Sequence, residues 1–254
     1  MKNIIFKNDM FVNYYSKYRR TWEEFYDSER HIFEAVLGRF DEPFSVLDVG
    51  CGCGGLGNAL SDKFSLSFYK GLDINEQQIE WALRNNKLPV PHEFACEDLA
   101  TYAKEEKYDV VISLGCVDCN VAVNEMIENA WQKVREGGYF ITSIRLTNAE
   151  SINDIKRAFQ YMNFGDKYEE DDEIGNYVVF SLPDILRVFG ELKNPPDKVE
   201  AYGYWHKPSK TAIIEYDELC MSVFALHKAI DGTAKRDRVN VELDLPFDFY
   251  AKMK

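Results

Sequence analysis

Between residues 44 and 145 short apolar runs alternate with amphipathic stretches. Phe44, Val46, Leu47 and Val49 read as a buried strand ending at Gly50, followed by a glycine-dense turn and a helix start at Leu56. Ser67–Ile74 predicts a second strand. Asn75 is the N-cap of the next helix, with Gln78 reaching back. A third strand lies near His92–Ala95 and a fourth at Tyr108–Leu114. Asn124–Glu136 predicts a helix closed by Gly137-Gly138, and Tyr139–Ile144 a fifth strand. Regular strand-helix alternation predicts an α/β fold, a mostly parallel sheet with helices on both faces.

The flanks read differently. Residues 11–40 place Phe11, Tyr14, Tyr18, Trp22, Phe25, Phe33 and Val36 at helical spacing, with a break at Asp27-Ser28. This predicts an N-terminal helical cap over residues 1–43, able to cover whatever the glycine turn holds. Beyond Arg145, Ser151–Asp154 predicts the cap of a helix running to Tyr161 or Met162, and the acidic run Asp166–Glu173 a solvated loop or a lid. Ser181 and Pro183 open a helix through Phe189. Val199–Trp205 and Cys220–His227 complete a seven-stranded sheet. The domain then covers 44–230, with an inserted segment near 146–180, and 231–254 is a tail containing an edge strand at Val239–Leu245.

The net charge of -13 disfavours a phosphate backbone as partner, so no nucleic acid is expected. The densest basic spots, Arg19-Arg20 and Lys235-Arg236, are short. No apolar run approaches the ~20 residues of a membrane span, and residues 1–10 lack a signal-peptide core, so a cytoplasmic protein is expected. The tail could be a homodimer arm or a free end. The six cysteines form no secreted framework; Cys116 and Cys119 have metal or redox spacing, but without a second pair they read as reduced, packed thiols, and no metal is expected.

The chemistry concentrates in Gly50-Cys51-Gly52-Cys53-Gly54-Gly55, a glycine turn between strand and helix where the backbone can approach a ligand closely. Asp48 precedes it and can order the loop. Asp73 ends the second strand about 20 residues on, where it can accept ribose hydroxyls. Glu97-Asp98 follows the third strand, in reach of an adenine amine.

In these blocks the chain resembles the class I S-adenosylmethionine-dependent methyltransferases. The matching residues are Val46–Gly54, Gly71–Ile74, Cys96–Leu99, Tyr108–Leu114 and Gly137–Ser143. The resemblance implies a Rossmann-like fold with a final strand inserted antiparallel, and S-adenosylmethionine as cofactor. It implies that Gly50 and Gly52 face the methionine and ribose, that Asp73 holds the ribose, that Ile74 packs on the adenine, that Asp98 contacts its amine, and that Ser113 and Leu114 lie beside the sulfonium, with Cys51, Glu97 and Leu99 counted among the cofactor-binding residues. The Asn/Asp-Pro-Pro-aromatic motif of adenine-modifying relatives is absent after the fourth strand, which has Ser113-Leu114-Gly115-Cys116. Asn194-Pro195-Pro196-Asp197 comes too late and reads as a turn.

That departure and the acidic charge favour a polar small-molecule acceptor. Oxygen methylation of a sugar, a nucleotide-linked sugar or a similar metabolite is the leading expectation. An alcohol needs a base. Of the four histidines, His206 at the exit of the sixth strand is best placed, with Asp118 assisting. Arg145 could clamp a phosphate or carboxylate, and Tyr14, Tyr18, Trp22, Tyr204 and Trp205 could wall the acceptor site. Two alternatives stay open: an NAD-dependent oxidoreductase using the same glycine turn, and a non-catalytic, cofactor-binding partner subunit.

Overall fold

The computed structural model describes residues 9–163, 167–169, 171–230 and 238–252. Asp166 and Glu170 of the acidic run, and Lys235-Arg236 in the tail, lie outside the described residues. The strands are β1 (Phe44–Val49), β2 (Leu66–Asp73), β3 (His92–Cys96), β4 (Tyr108–Ser113), β5 (Val134–Thr147), β6 (Phe159–Tyr161), β7 (Ile174–Asn176), β8 (Phe180–Ser181), β9 (Lys198–His206), β10 (Ala212–Ile213), β11 (Leu219–His227) and β12 (Asn240–Asp244). The helices are α1 (Met10–Tyr15), α2 (Asp27–Leu37), α3 (Gly55–Lys63), α4 (Glu76–Asn85), α5 (Val123–Gln132), α6 (Leu182–Gly190) and α7 (Phe247–Lys252).

Among the described residues nine strands form one sheet, ordered β12-β9-β11-β5-β4-β1-β2-β3, with β8 also on β5. β3, β2, β1, β4 and β5 run parallel; β11 is antiparallel to β5 and β9, and β12 parallel to β9. The seven expected strands are β1–β5, β9 and β11, and β12 and β8 extend the sheet. A second sheet, β10-β6-β7, is antiparallel.

The central strands are buried on both faces, which is why they read as continuous apolar runs. Alternation sorts them. Leu47, Val49 and Val111 join α5 and α6 on one face, while Val46, Val110 and Ile112 join α2, α3 and α4 on the other. Trp131 of α5 is fully buried, and its indole N–H donates to the Lys193 carbonyl at 3.1 Å and that of Asn194 at 3.0 Å.

Three expected elements differ. The helix predicted to reach Glu136 stops at Gln132. Val134 leaves it to pair with Tyr108, and the buried Lys228 ammonium donates to the Trp131 and Val134 carbonyls, each at 3.0 Å. No helix forms at 151–162. Ile152 bridges to Val179, Asp154 makes a turn whose carbonyl accepts from Arg157 and Ala158, and 159–161 become β6. The N-terminal helix pair is interrupted. Arg19 sits at φ 58, reversing the chain between α1 and a single 3-10 turn at Trp22–Glu24. Glu24 accepts from the Arg20 and Thr21 amides, and Glu29 from the Tyr26 amide, so local carboxylates restart each helical turn.

Trp131→Ala removes a fully buried indole and both its hydrogen bonds. The expected cost is about 3–5 kcal/mol of unfolding free energy, read as a lower urea midpoint.

Candidate functional site

One cavity of about 800 Å³ opens at the carboxyl ends of β1, β2, β4, β5 and β9, the edge where open α/β sheets bind ligands. Its first half is the turn after β1. The Gly50 and Cys51 amides both donate to the Leu72 carbonyl, at 2.8 and 3.0 Å. The Asp73 carboxylate accepts the Gly52 amide on one oxygen (2.8 Å) and the Asn75 amide on the other (2.9 Å). One side chain thus ties the glycine turn to the start of α4. The Ile74 amide also favours the carboxylate, which keeps acceptor capacity for a further donor. Gly50 lies at φ 76, and a Cβ there would stand 2.7 Å from the Cys116 thiol. Only glycine lets the turn and the β4 exit meet.

Asp48, buried beneath the turn, accepts the Tyr69 phenol at 2.5 Å. Burial pushes its carboxyl from an ordinary 3.8 up to about 7; the phenol pulls it down and the neighbouring Asp73 charge pushes it further up. Gln78 also faces the cradle. Asn75 caps its backbone amide as expected, but the Gln78 side chain does not reach back, and its buried Oε1 has no hydrogen-bond partner. A Cβ at Gly52 would come 2.8 Å from that oxygen. An orphaned acceptor beside a backbone with no side chain in the way fits a ligand that supplies a donor there. Ile74, Glu97, Asp98 and Leu99 continue this wall. Asp98 Oδ1 accepts the Ala100 amide at 2.9 Å, and Glu97 pairs with Lys104 at 3.4 Å.

A strap of residues 10–29 closes the cavity from above. Tyr15 lies over Gly52, and the Arg19 carbonyl would be 2.0 Å from a Cβ at Gly55. The Arg19 guanidinium pairs with Glu29 at 2.8 Å and lies 4.5 Å from the Phe25 ring centre and 5.2 Å from that of Tyr26. These contacts hold a residue whose left-handed backbone costs about 1–3 kcal/mol.

The second half gathers residues from β5, β9, β11 and the small sheet. Arg145 and Asp118 are both buried, and pair at 3.1 Å. Arg145 also donates to the Asp118 and Val178 carbonyls and stacks 3.9 Å from the Tyr177 ring centre. The Asp118 charge holds the guanidinium cationic against burial, while burial pushes the Asp118 carboxyl up. His206 Nδ1 donates to the Lys207 carbonyl at 2.8 Å, because a carbonyl only accepts. Neutral His206 therefore carries its free lone pair on Nε2.

The structure places Asp48, Gly50, Cys51, Gly52, Asp73, Ile74, Glu97, Asp98, Leu99, Leu114, Tyr14, Arg145, Asp118, Tyr204 and His206 on the cavity. Four expected residues are not on it. Ser113 is buried inside β4. Trp22 packs on Phe33 and Phe64. Tyr18 is exposed beside Tyr14. Trp205 stacks on Phe249, ring centres 5.0 Å apart, on the opposite face of β9 from Tyr204. Arg145 reaches the cavity but is not a free clamp, since Asp118 and two carbonyls already hold it. Asp118, bound in turn by Arg145, is not a free base. Residues that the motifs did not single out also line the cavity, including Tyr15, Arg19, Glu29 and Gln78, together with Gln160, Met162, Asn163 and Tyr177 around the small sheet. Among the described residues no helix is long and apolar enough to cross a membrane.

Comparison with known proteins agrees with this geometry. Residues 46–138 match the family described as methyltransferase domain. The chain is 30% identical over 103 residues to malonyl-acyl-carrier-protein O-methyltransferase 2 of Ilyobacter polytropus, covering 39% of each. It is 36% identical over 109 residues to ribosomal protein L11 methyltransferase of Staphylococcus aureus, covering 39% of this chain and 31% of that protein. It thus spans between about a third and two fifths of these relatives. Among solved structures, the 1,6-didemethyltoxoflavin-N1-methyltransferase of Burkholderia thailandensis, with S-adenosylhomocysteine bound, superposes with a TM-score of 0.52. That match has 18% identity and covers 79% of this chain and 76% of the other. It is a likeness of fold.

The raised Asp48 carboxyl has a signed consequence. Between about pH 4 and 7 the folded chain keeps a proton that the unfolded chain releases, so this group's contribution to stability falls as pH rises through that window. Asp48→Asn is expected to flatten the fall, measured as urea midpoints from pH 5 to pH 8; an unchanged slope would count against the burial assignment.

Proposed function

We propose that this chain, a class I S-adenosylmethionine-dependent methyltransferase with its methyltransferase domain at residues 46–138, methylates an oxygen of a polar small molecule. The cofactor supplies a methyl group on a cationic sulfonium, ready for in-line displacement. The observation that supports the cofactor reading most is the glycine turn tied by Asp73, with the orphaned Gln78 Oε1 facing it.

The residues take the following roles. Asp73 accepts the ribose hydroxyls with its spare lone pairs, and Asp98 the adenine amine. Leu114 and Gly115 approach the sulfonium; the Gly115 amide is held by the Ser143 hydroxyl at 2.7 Å. Phe11, Tyr14 and Tyr15 of the strap keep water from the transfer path. The Asp118–Arg145 pair is a positioning frame that fixes the β4 and β5 exits against each other. His206 takes the proton of the acceptor hydroxyl on Nε2, the nitrogen that its bond to Lys207 leaves free. The names of the relatives cover oxygen and nitrogen acceptors and a ribosomal protein. The choice of oxygen therefore rests on His206 alone, and a sugar or nucleotide-linked sugar suits the mixed aromatic and amide lining.

Calorimetry with S-adenosylhomocysteine, with NAD as control, tests the cofactor. Binding of the former alone is expected, weakened at least tenfold (about 1.4 kcal/mol) by Asp73→Ala. Binding of NAD alone would replace this reading with an oxidoreductase. With an acceptor in hand, His206→Ala is expected to lower kcat by about 10²–10⁴-fold and leave S-adenosylhomocysteine affinity unchanged. Full turnover in that variant would remove the base assignment.

A further inference from the structure

The sequence predicts that Gln78 reaches back to the start of α4, as the third residue of a capping box does. That place is taken. The Asn75 amide, which such a glutamine would hold, already donates to Asp73 at 2.9 Å. Asn75 still caps the Gln78 amide, at 3.2 Å, so one half of the box forms and the other does not. The Gln78 side chain turns instead to the cavity, which it lines with Oε1 beside Gly52.

Its oxygen is buried and unpartnered. Gln78 is only 5% exposed, and no donor reaches Oε1. The Gly52 amide beside it is committed to Asp73 at 2.8 Å. Tyr15 faces the same spot with Cβ and Cγ, which donate nothing; they lie 3.8 and 3.7 Å from where a Cβ on Gly52 would stand. A buried acceptor that meets no donor costs free energy in the unliganded chain. A bound ligand that brings a donor to it removes that cost.

Asp73 and Gln78 both address Gly52, the first through its amide and the second across its Cα. One charged and one neutral acceptor therefore stand next to the same glycine. Asp73 already accepts the Gly52 and Asn75 amides. A ribose carries two neighbouring hydroxyls, each with one proton to donate. We infer that Gln78 Oε1 accepts one ribose hydroxyl of the bound cofactor while Asp73 accepts the other, so that Gln78 makes the site specific for a nucleoside with both hydroxyls free. This rests on the methyltransferase reading of the cavity, and divides between two side chains the pair of hydroxyls given there to Asp73. A site that pairs a hydroxyl with a buried acceptor rejects the analogue lacking it, because the acceptor is then left orphaned.

The test is calorimetric. S-adenosylhomocysteine, and the two analogues that lack one or the other ribose hydroxyl, are titrated into the wild-type chain, Gln78→Met and Gln77→Met. Methionine keeps the length of the side chain and removes the amide, and Gln77 is exposed on the same helix, off the cavity. Gln78→Met is expected to bind S-adenosylhomocysteine at least about fivefold more weakly than the wild type does, and to bind one of the two analogues as well as it binds S-adenosylhomocysteine. Gln77→Met is expected to match the wild type. Wild-type affinity in Gln78→Met, an equal loss on all three ligands, or the same loss in Gln77→Met overturns the inference. The urea midpoint of unliganded Gln78→Met is expected to equal or exceed the wild-type value, since an orphaned acceptor is gone; a fall would make Gln78 a structural support and overturn the inference too. Failure of S-adenosylhomocysteine to bind the wild-type chain removes the methyltransferase reading itself, whereas binding that Gln78→Met leaves intact removes only the role of Gln78.

Discussion

The Asp73 carboxylate is the contact on which the site depends. It ends β2, and accepts one amide from the glycine turn and one from the start of α4. The turn and the start of α4 are thereby set at a fixed distance, with the Asn86 side-chain amide at the far end of α4 donating to the Cys53 carbonyl at 2.7 Å as a second tie. A charge-assisted bond to a backbone N–H is roughly twice as strong as a neutral one, and this carboxylate makes two inside a buried pocket. The placing of Gly52 against the buried, unpartnered oxygen of Gln78 follows from that clamp.

The strap does a second job with a different set of forces. It is held by one ion pair, by guanidinium-ring contacts and by backbone packed on Gly55, where any side chain would collide. α2 is its anchor: Ile32, Phe33 and Val36 belong to the same core as α3 and α4. The cavity roof is thus continuous with the molecule's core, although its inner face is polar and aromatic.

The parallel half was legible because its strands are buried on both sides and its glycines and carboxylates sit at chain positions that only one turn geometry satisfies. The half around the small sheet was not. Ile152, Ala158, Phe159 and Tyr161 fit helical spacing, yet bridging to Val179 and pairing with β7 and β10 outweigh local preference. Tyr204 and Trp205 were both expected at the acceptor, but successive strand residues face opposite ways, so only one could be. Arg145 was read as a clamp because a sequence does not show that Asp118, on a different element, will claim it. The strap was missed in detail because the positive φ at Arg19 has no glycine to announce it.

The small sheet carries one more consequence. Its ladders are two and three residues long, and its own cluster of buried side chains is the smallest of the three among the described residues. Regions with few buried apolar contacts open at lower free energy than a central sheet does. The two halves of the cavity therefore differ in stiffness. The half around the glycine turn opens with the core, whereas the half built on the small sheet opens at lower free energy, so a fixed grip on one side faces a wall that can adjust on the other.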